Sequence, residues 1–252
     1  MFAGFMRDAP SPSAAGTPFE ASMPERYRES FDAATIAEHA GIVARRGGLP
    51  AHLEVCGRSP DGITVVCVVA DDRPGLLSRI AASLLIHSMD ILSAQAYTRV
   101  SEAGTGEAVD FLWLRRNGSG GPPLSDIECG RIADVLRALV TGERSIDAEV
   151  SGARPVPRPR HAFATRIAMS DTANGELLMT IEASDRPGLL LAITRSLFRA
   201  GVQIVASDAA TENGRVVDRF TIVELDGSPV GEKRRRALQT DVLAAIDGLA
   251  RG

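Results

Sequence analysis

Cysteine is scarce. The three present in 252 residues, Cys56, Cys67 and Cys129, form no Cys-x-x-Cys pair, which argues against a zinc ribbon or a thioredoxin-type motif. Cys67 lies inside a β-branched run, where a free thiol acts as a small apolar filler, and a reduced, cytoplasmic setting is expected. Long apolar runs are missing as well. None approaches the ~20 residues that a membrane helix needs, and Met1 to Arg7 lack the charged-then-apolar order of a secretion signal. Positive charge is not in excess: 28 Lys and Arg against 32 Asp and Glu give a formal net charge of −4. That excludes a global basic field for nucleic acid. The one basic run, Lys233-Arg234-Arg235-Arg236, reads as a solvated helix face. No Ser/His/Asp or Cys/His arrangement stands out, and Asp71-Asp72 sit beside a turn rather than across a cleft. No catalytic residue, metal ligand or cofactor is expected.

What the chain does contain is a repeat. Asp-Arg-Pro-Gly-Leu-Leu occurs at Asp72–Leu77 and again at Asp185–Leu190. Each copy follows an apolar run, Ile63–Ala70 or Glu176–Ala183, and opens an amphipathic segment. Downstream, Met89–Ala94 corresponds to Val202–Ser207. Two homologous modules on one chain are expected.

Residues 1–22, rich in Ala, Pro, Ser and Gly, read as disordered. Residues 23–50 read as a helical lead-in, with Phe31-Asp32 as a cap, Ile36, Ala40 and Val43 on one face, and Gly47-Gly48 as its end. The first module spans 51–150, with strands at His52–Cys56, Ile63–Ala70, Ile91–Arg99 and Ala108–Arg115, and helices at Pro74–Ser88 and Ser125–Val140. An Arg/Pro-rich linker covers 151–161. The second module, 162–252, repeats the order, with a hairpin turn at Glu212-Asn213-Gly214 and a last helix over Glu232–Leu249. The fold class is therefore α+β. Each module reads β-β-α-β-β-α, a ferredoxin-like four-stranded antiparallel sheet with two helices on one face. The other face needs cover from the partner module or from a second chain.

In the loop after each strand, Asp72 or Arg73 is expected at the helix N-cap, with Pro74 in the first turn. Gly75 allows close approach of another group, and the first helical N–H groups make a seat for a carboxylate. Asp72 can meet an ammonium. Asp185, Arg186, Pro187 and Gly188 repeat the arrangement, and Leu76 and Leu189 close each loop. Two readings fit these residues: a strand-to-helix turn with a capping Asp, or a seat for the zwitterionic head of an amino acid.

Asp71–Ala81, followed by Asp90–Thr98, resembles an ACT domain, the ligand-sensing module of amino-acid metabolism. More narrowly, it resembles the C-terminal tandem ACT region of bacterial PII uridylyltransferase/uridylyl-removing enzymes. Asp185–Arg195 with Arg215–Phe220 is similar to that family's second ACT domain, and Pro24–Tyr27 with Ile36–Ala40 to the segment before the first. The family's nucleotidyltransferase and HD phosphohydrolase domains have no counterpart. None of the four histidines, His39, His52, His87 and His161, is followed by Asp. The resemblance implies glutamine as effector, held at Asp72, Arg73, Pro74 and Gly75 and at Asp185, Arg186, Pro187 and Gly188. Ser93 and Gln95, with Ser207 and Asp208, are further candidates on the following strands.

The function expected is that of a non-catalytic, amino-acid-binding regulatory protein of nitrogen or amino-acid metabolism. Its partner would be a metabolic enzyme or a PII-type signalling protein, with no nucleic acid or membrane involved. A homodimer through ACT sheets or helices is expected. The alternatives are an ACT-fold dimerisation module without ligand and a remnant of the uridylyltransferase.

Overall fold

Apolar alternation, turn glycines and helix caps set the elements in the computed structural model, which describes residues 17–249 apart from 102, 118–120, 151–162 and 213. Three helices come first: α1 (Pro18–Ser22), α2 (Glu25–Ser30) and α3 (Ala33–Arg46). The expectation of disorder to residue 22 therefore fails at 18–22, where Thr17 caps α1 and Phe19 is buried. The single lead-in helix is two, separated at Phe31-Asp32, and Asp32 accepts the Thr35 N–H at 2.8 Å to start α3. Residues 1–16 and the 151–161 linker fall among those not described.

The first half continues as β1 (Ala51–Arg58), β2 (Thr64–Asp71), α4 (Leu76–Ile86), β3 (Met89–Val100), β4 (Gly106–Arg116) and α5 (Asp126–Thr141). A capping box starts α5: Ser125 takes the Glu128 N–H and Glu128 returns to the Ser125 N–H. After the short α6 (Ile146–Val150), the second half runs β5 (Arg166–Asp171), β6 (Leu177–Ser184), α7 (Leu189–Arg199), β7 (Val202–Glu212), β8 (Arg215–Glu224) and α8 (Glu232–Gly248). The order β-β-α-β-β-α occurs in both halves.

The eight strands form one continuous antiparallel sheet, ordered β1-β2-β4-β3-β7-β8-β6-β5, rather than two separate sheets of four. The halves join where β3 pairs with β7, from Ser93↔Ala210 to Ala96↔Ser207. Small residues at this seam let the neighbouring helices α4 and α7 pack together across it. Matching bulges interrupt the register at Ile91/Ser93 in β3 and Ile204/Ala206 in β7, and they bend both strands beside the seam.

On the helix face, one apolar cluster gathers Leu77 and Ala81 of α4 with Leu190, Ile193 and Leu197 of α7, and so spans both halves. The back of the first half is covered by the chain itself. Tyr27, Ile36 and Ile42 of α2 and α3 pack on Cys67, Val69, Tyr97 and Phe111, where cover from the other module or a second chain was expected. Tyr27 donates to or accepts from His39 Nδ1 at 2.8 Å within this cluster. Among the described residues, no helix is long and apolar enough to cross a membrane.

Candidate functional site

Each repeated loop leaves a central strand and turns into a helix through a left-handed glycine. Gly75 has φ +81° and Gly188 has φ +84°, a conformation that costs glycine nothing. These glycines occupy the N-cap, so the helices begin at Leu76 and Leu189. The expectation of Asp72 or Arg73 as cap is corrected: neither caps, and Pro74 lies before the helix. Asp72 and Asp185 instead anchor the loops through their backbone N–H groups, bonded to Gly106 O at 3.0 Å and Gly214 O at 2.9 Å. Their side chains are left to face a cavity. Among the described residues, the N–H groups of Leu77, Ser78, Leu190 and Leu191 find no acceptor, leaving two orphan donors at each helix start.

Two cavities lie at the seam, each built from both halves. The first is lined by the Asp72–Ser78 loop, by Ala96, Thr98, Ala108 and Asp110 of the same half, and by Thr194, Phe198 and Val202–Val205 of the other. The second is lined by Asp185–Leu191, by Ala209, Thr211, Val216 and Asp218, and by Ala81, Leu85 and Met89–Ile91 of the first half. Apart from Val205, each lining position has its repeat counterpart in the other cavity, so the cavities are related by the repeat. Their empty volumes, open mouths included, are about 480 and 510 Å³.

Each cavity contains a buried carboxyl group. Asp110 is 4% exposed and Asp218 2%. Burial, reinforced by the neighbouring Asp72 charge, pushes the Asp110 carboxyl up to about 8. Burial together with Asp185 and Asp208 pushes Asp218 up to about 8 as well. Asp72 and Asp185 are also raised, chiefly by burial. Each cavity thus sets buried carboxyl groups beside orphan helix-start N–H donors.

The structure thus brings Asp72, Arg73, Pro74, Gly75 and Leu76 into one cavity, and Asp185, Arg186, Pro187, Gly188 and Leu189 into the other. The remaining candidates fall outside both. Gln95 shares the opposite sheet face with Tyr97, which donates to its Oε1 at 3.2 Å; Ser93 and the exposed Asp208 lie on that face too. Ser207 is buried, and its hydroxyl lacks a partner. The residues that sequence reasoning missed are Asp110 and Asp218, together with those contributed by the opposite half. A charged residue inside an apolar strand at the matching position of both repeats, as in Val109-Asp110 and Val217-Asp218, was the available sign.

Fold and cavities describe a doubled α+β platform, with each cavity walled by both repeats. Comparison with known proteins narrows this. The chain is similar to bifunctional uridylyltransferase/uridylyl-removing enzymes. It is 29% identical over 225 residues to that of Rhodospirillum rubrum, covering 87% of this chain and 24% of the relative. For Phenylobacterium zucineum the values are 28% over 235 residues, covering 91% and 24%. For Novosphingobium aromaticivorans they are 30% over 191 residues, covering 74% and 20%. The chain therefore spans about a quarter of the length of the curated relatives it matches. No family model matches the chain. A solved structure of an unknown protein from Galdieria sulphuraria aligns at 18% identity over 75% of this chain and 92% of its own, with a TM-score of 0.21.

Proposed function

We propose that this chain is a non-catalytic regulatory unit of nitrogen or amino-acid metabolism, built from two ACT-type modules that bind an amino acid of the glutamine type. The observation that carries the reading is the coincidence, in each seam cavity, of orphan helix-start N–H groups with buried carboxyls. The first set suits an α-carboxylate and the second an α-ammonium. The non-catalytic part rests on the share of the relatives that the chain spans, about a quarter, and on the lack of a catalytic constellation in its sequence.

Because each cavity draws its walls from both halves, a bound amino acid bridges the α4 end of one half to the α7 end of the other. Binding then favours one packing of the halves over alternatives, in proportion to the contacts made only in that packing. The partner that responds is proposed to be an enzyme or a PII-type signalling protein, met through a surface that depends on this packing.

Isothermal titration and thermal melting with the common amino acids test the reading. Glutamine is expected to give saturable heat and to stabilise the fold by about 2.7 kcal/mol at a hundredfold excess over Kd. The absence of heat and of any melting shift with every amino acid would overturn it. An intact dimer under those conditions would favour the dimerisation alternative.

A further inference from the structure

The two cavities differ in what their polar groups already hold. In the first, Asp72 accepts hydrogen bonds from Thr98 Oγ1 at 3.1 Å and, across the seam, from Gln203 Nε2 at 3.3 Å. Asp110 is approached by the Tyr97 backbone N–H. Arg73 turns away to Asp71 at 2.7 Å and its side chain is 66% exposed. Asp71 is itself held by Arg46 of α3 at 2.5 Å. The Phe198 ring presses against Gly75, so close that an ideal Cβ there would lie 2.7 Å from it, and Arg79 sits against the ring at 5.6 Å. Arg79 also donates to Pro74 O at 3.1 Å. Donors of the protein occupy this loop.

The second cavity has the same frame with the side-chain partners removed, and the Asp185 carboxyl is approached by the Arg186 backbone N–H. Asp90 stands in the place of Gln203, so an acceptor faces Asp185 where a donor faces Asp72; the Asp185 charge acts against Asp90, and the Arg115 charge offsets both carboxylates in part. Asn117, in the amide orientation its neighbours require, donates to Asp90. Asp218 has no side-chain hydrogen bond among the described residues and faces the cavity at 2% exposure. Ser184 replaces Asp71, and Arg186 is left with a buried Nε that finds no partner. Leu85 stands where Phe198 stands in the first cavity, leaving 3.4 Å beside Gly188, and Ala192 replaces Arg79. An orphan guanidinium N–H and an orphan carboxyl, on two residues that line one cavity, are groups that cost stability unless a ligand completes them.

We infer that the cavities are not equivalent: the Asp185 cavity holds the amino acid, with Arg186 on its carboxylate and Asp218 and Asp185 on its ammonium, while the loop carboxyl of the Asp72 cavity is already taken up by the protein's own bonds. This rests on the amino-acid reading above and adds which of the two repeats binds. Asp90 gives the second cavity one more carboxylate than the first, so amino acids bearing a donor-rich side chain are favoured over acidic ones. The first cavity then keeps a structural role, tying α3, α7 and the seam together through Asp71, Asp72 and Phe198.

Titration of the whole chain with glutamine, then with the other common amino acids, tests the inference by stoichiometry and by matched variants. One equivalent per chain is expected. Arg186→Gln and Asp218→Asn are each expected to weaken binding at least about tenfold, the loss of a charge-assisted hydrogen bond. The matched variant Arg73→Gln is expected to bind as the wild type does. Melting curves of each variant verify that it is folded. Two equal equivalents, or a loss with Arg73→Gln while Arg186→Gln binds normally, would overturn the asymmetry and leave the amino-acid reading standing. No binding of any amino acid to the wild type would end both.

Discussion

Replacing Asp218 by Asn should stabilise this protein, increasingly so as the pH rises. In the folded chain burial, helped by Asp185 and Asp208, pushes this carboxyl from 3.8 up to about 8. The folded state therefore keeps a proton that the unfolded chain gives up near pH 4. Below that pH the group costs nothing. Between the two values it costs about 1.4 kcal/mol per pH unit, and above about 8 the cost levels off. At pH 7 the ceiling is about 4 kcal/mol, and relaxation of the cavity with entry of water reduces it to about 1–3 kcal/mol. An amide of the same shape carries no charge, so Asp218→Asn removes the cost at neutral pH and changes little at pH 4. For a chain of this size the melting temperature should rise by roughly 3–10 °C at pH 8. Thermal melts or urea titrations of both proteins at pH 4, 5, 6, 7 and 8 measure the offset directly. An offset independent of pH, or a variant less stable at pH 8, would refute the account of Asp218 as a buried, uncompensated acid. The expected pairing of higher stability with weaker ligand binding is the mark of a residue kept for a site rather than for the fold.

Three further outcomes follow from the packing. Gly75→Ala should cost about 2–4 kcal/mol, from left-handed strain plus the clash with Phe198, while Gly188→Ala, with Leu85 farther off, should cost about 1 kcal/mol; urea midpoints separate the two. Tyr27→Phe leaves the buried His39 Nδ1 without its partner at 2.8 Å and should cost about 1–3 kcal/mol by denaturant unfolding. Ser125→Ala breaks the capping box of α5 and should lower stability by about 1 kcal/mol, measured the same way.

Much of the local structure was legible in the chain. The doubled Asp-Arg-Pro-Gly-Leu-Leu located both loops, and the apolar spacing placed α4, α5 and α8 to within a turn. Even there, the cap was misplaced. The prolines drew attention to the first helical turn, but a glycine with positive φ (+81° at Gly75) ends the turn before the helix, and which residue adopts it depends on the groups packed above it. The lead-in was harder. Tyr27, Phe31 and His39 carry little helical periodicity of their own, and their burial follows from the aromatic faces of Tyr97 and Phe111, distant in sequence.

By itself, the sequence determined that the chain is doubled, that each half alternates two strands with a helix, and that each half presents the same loop. Those are properties of residues within about a dozen positions of one another, where backbone preference and apolar period act directly. Tertiary structure alone decided that the two halves share one sheet through β3 and β7, and that each loop therefore faces a wall supplied by the other half. It also decided the fate of the two aspartates. Identical loops end in different states because Gln203 reaches Asp72 while Asp90 opposes Asp185, and a partner brought in across a seam by long-range pairing leaves no trace in local sequence.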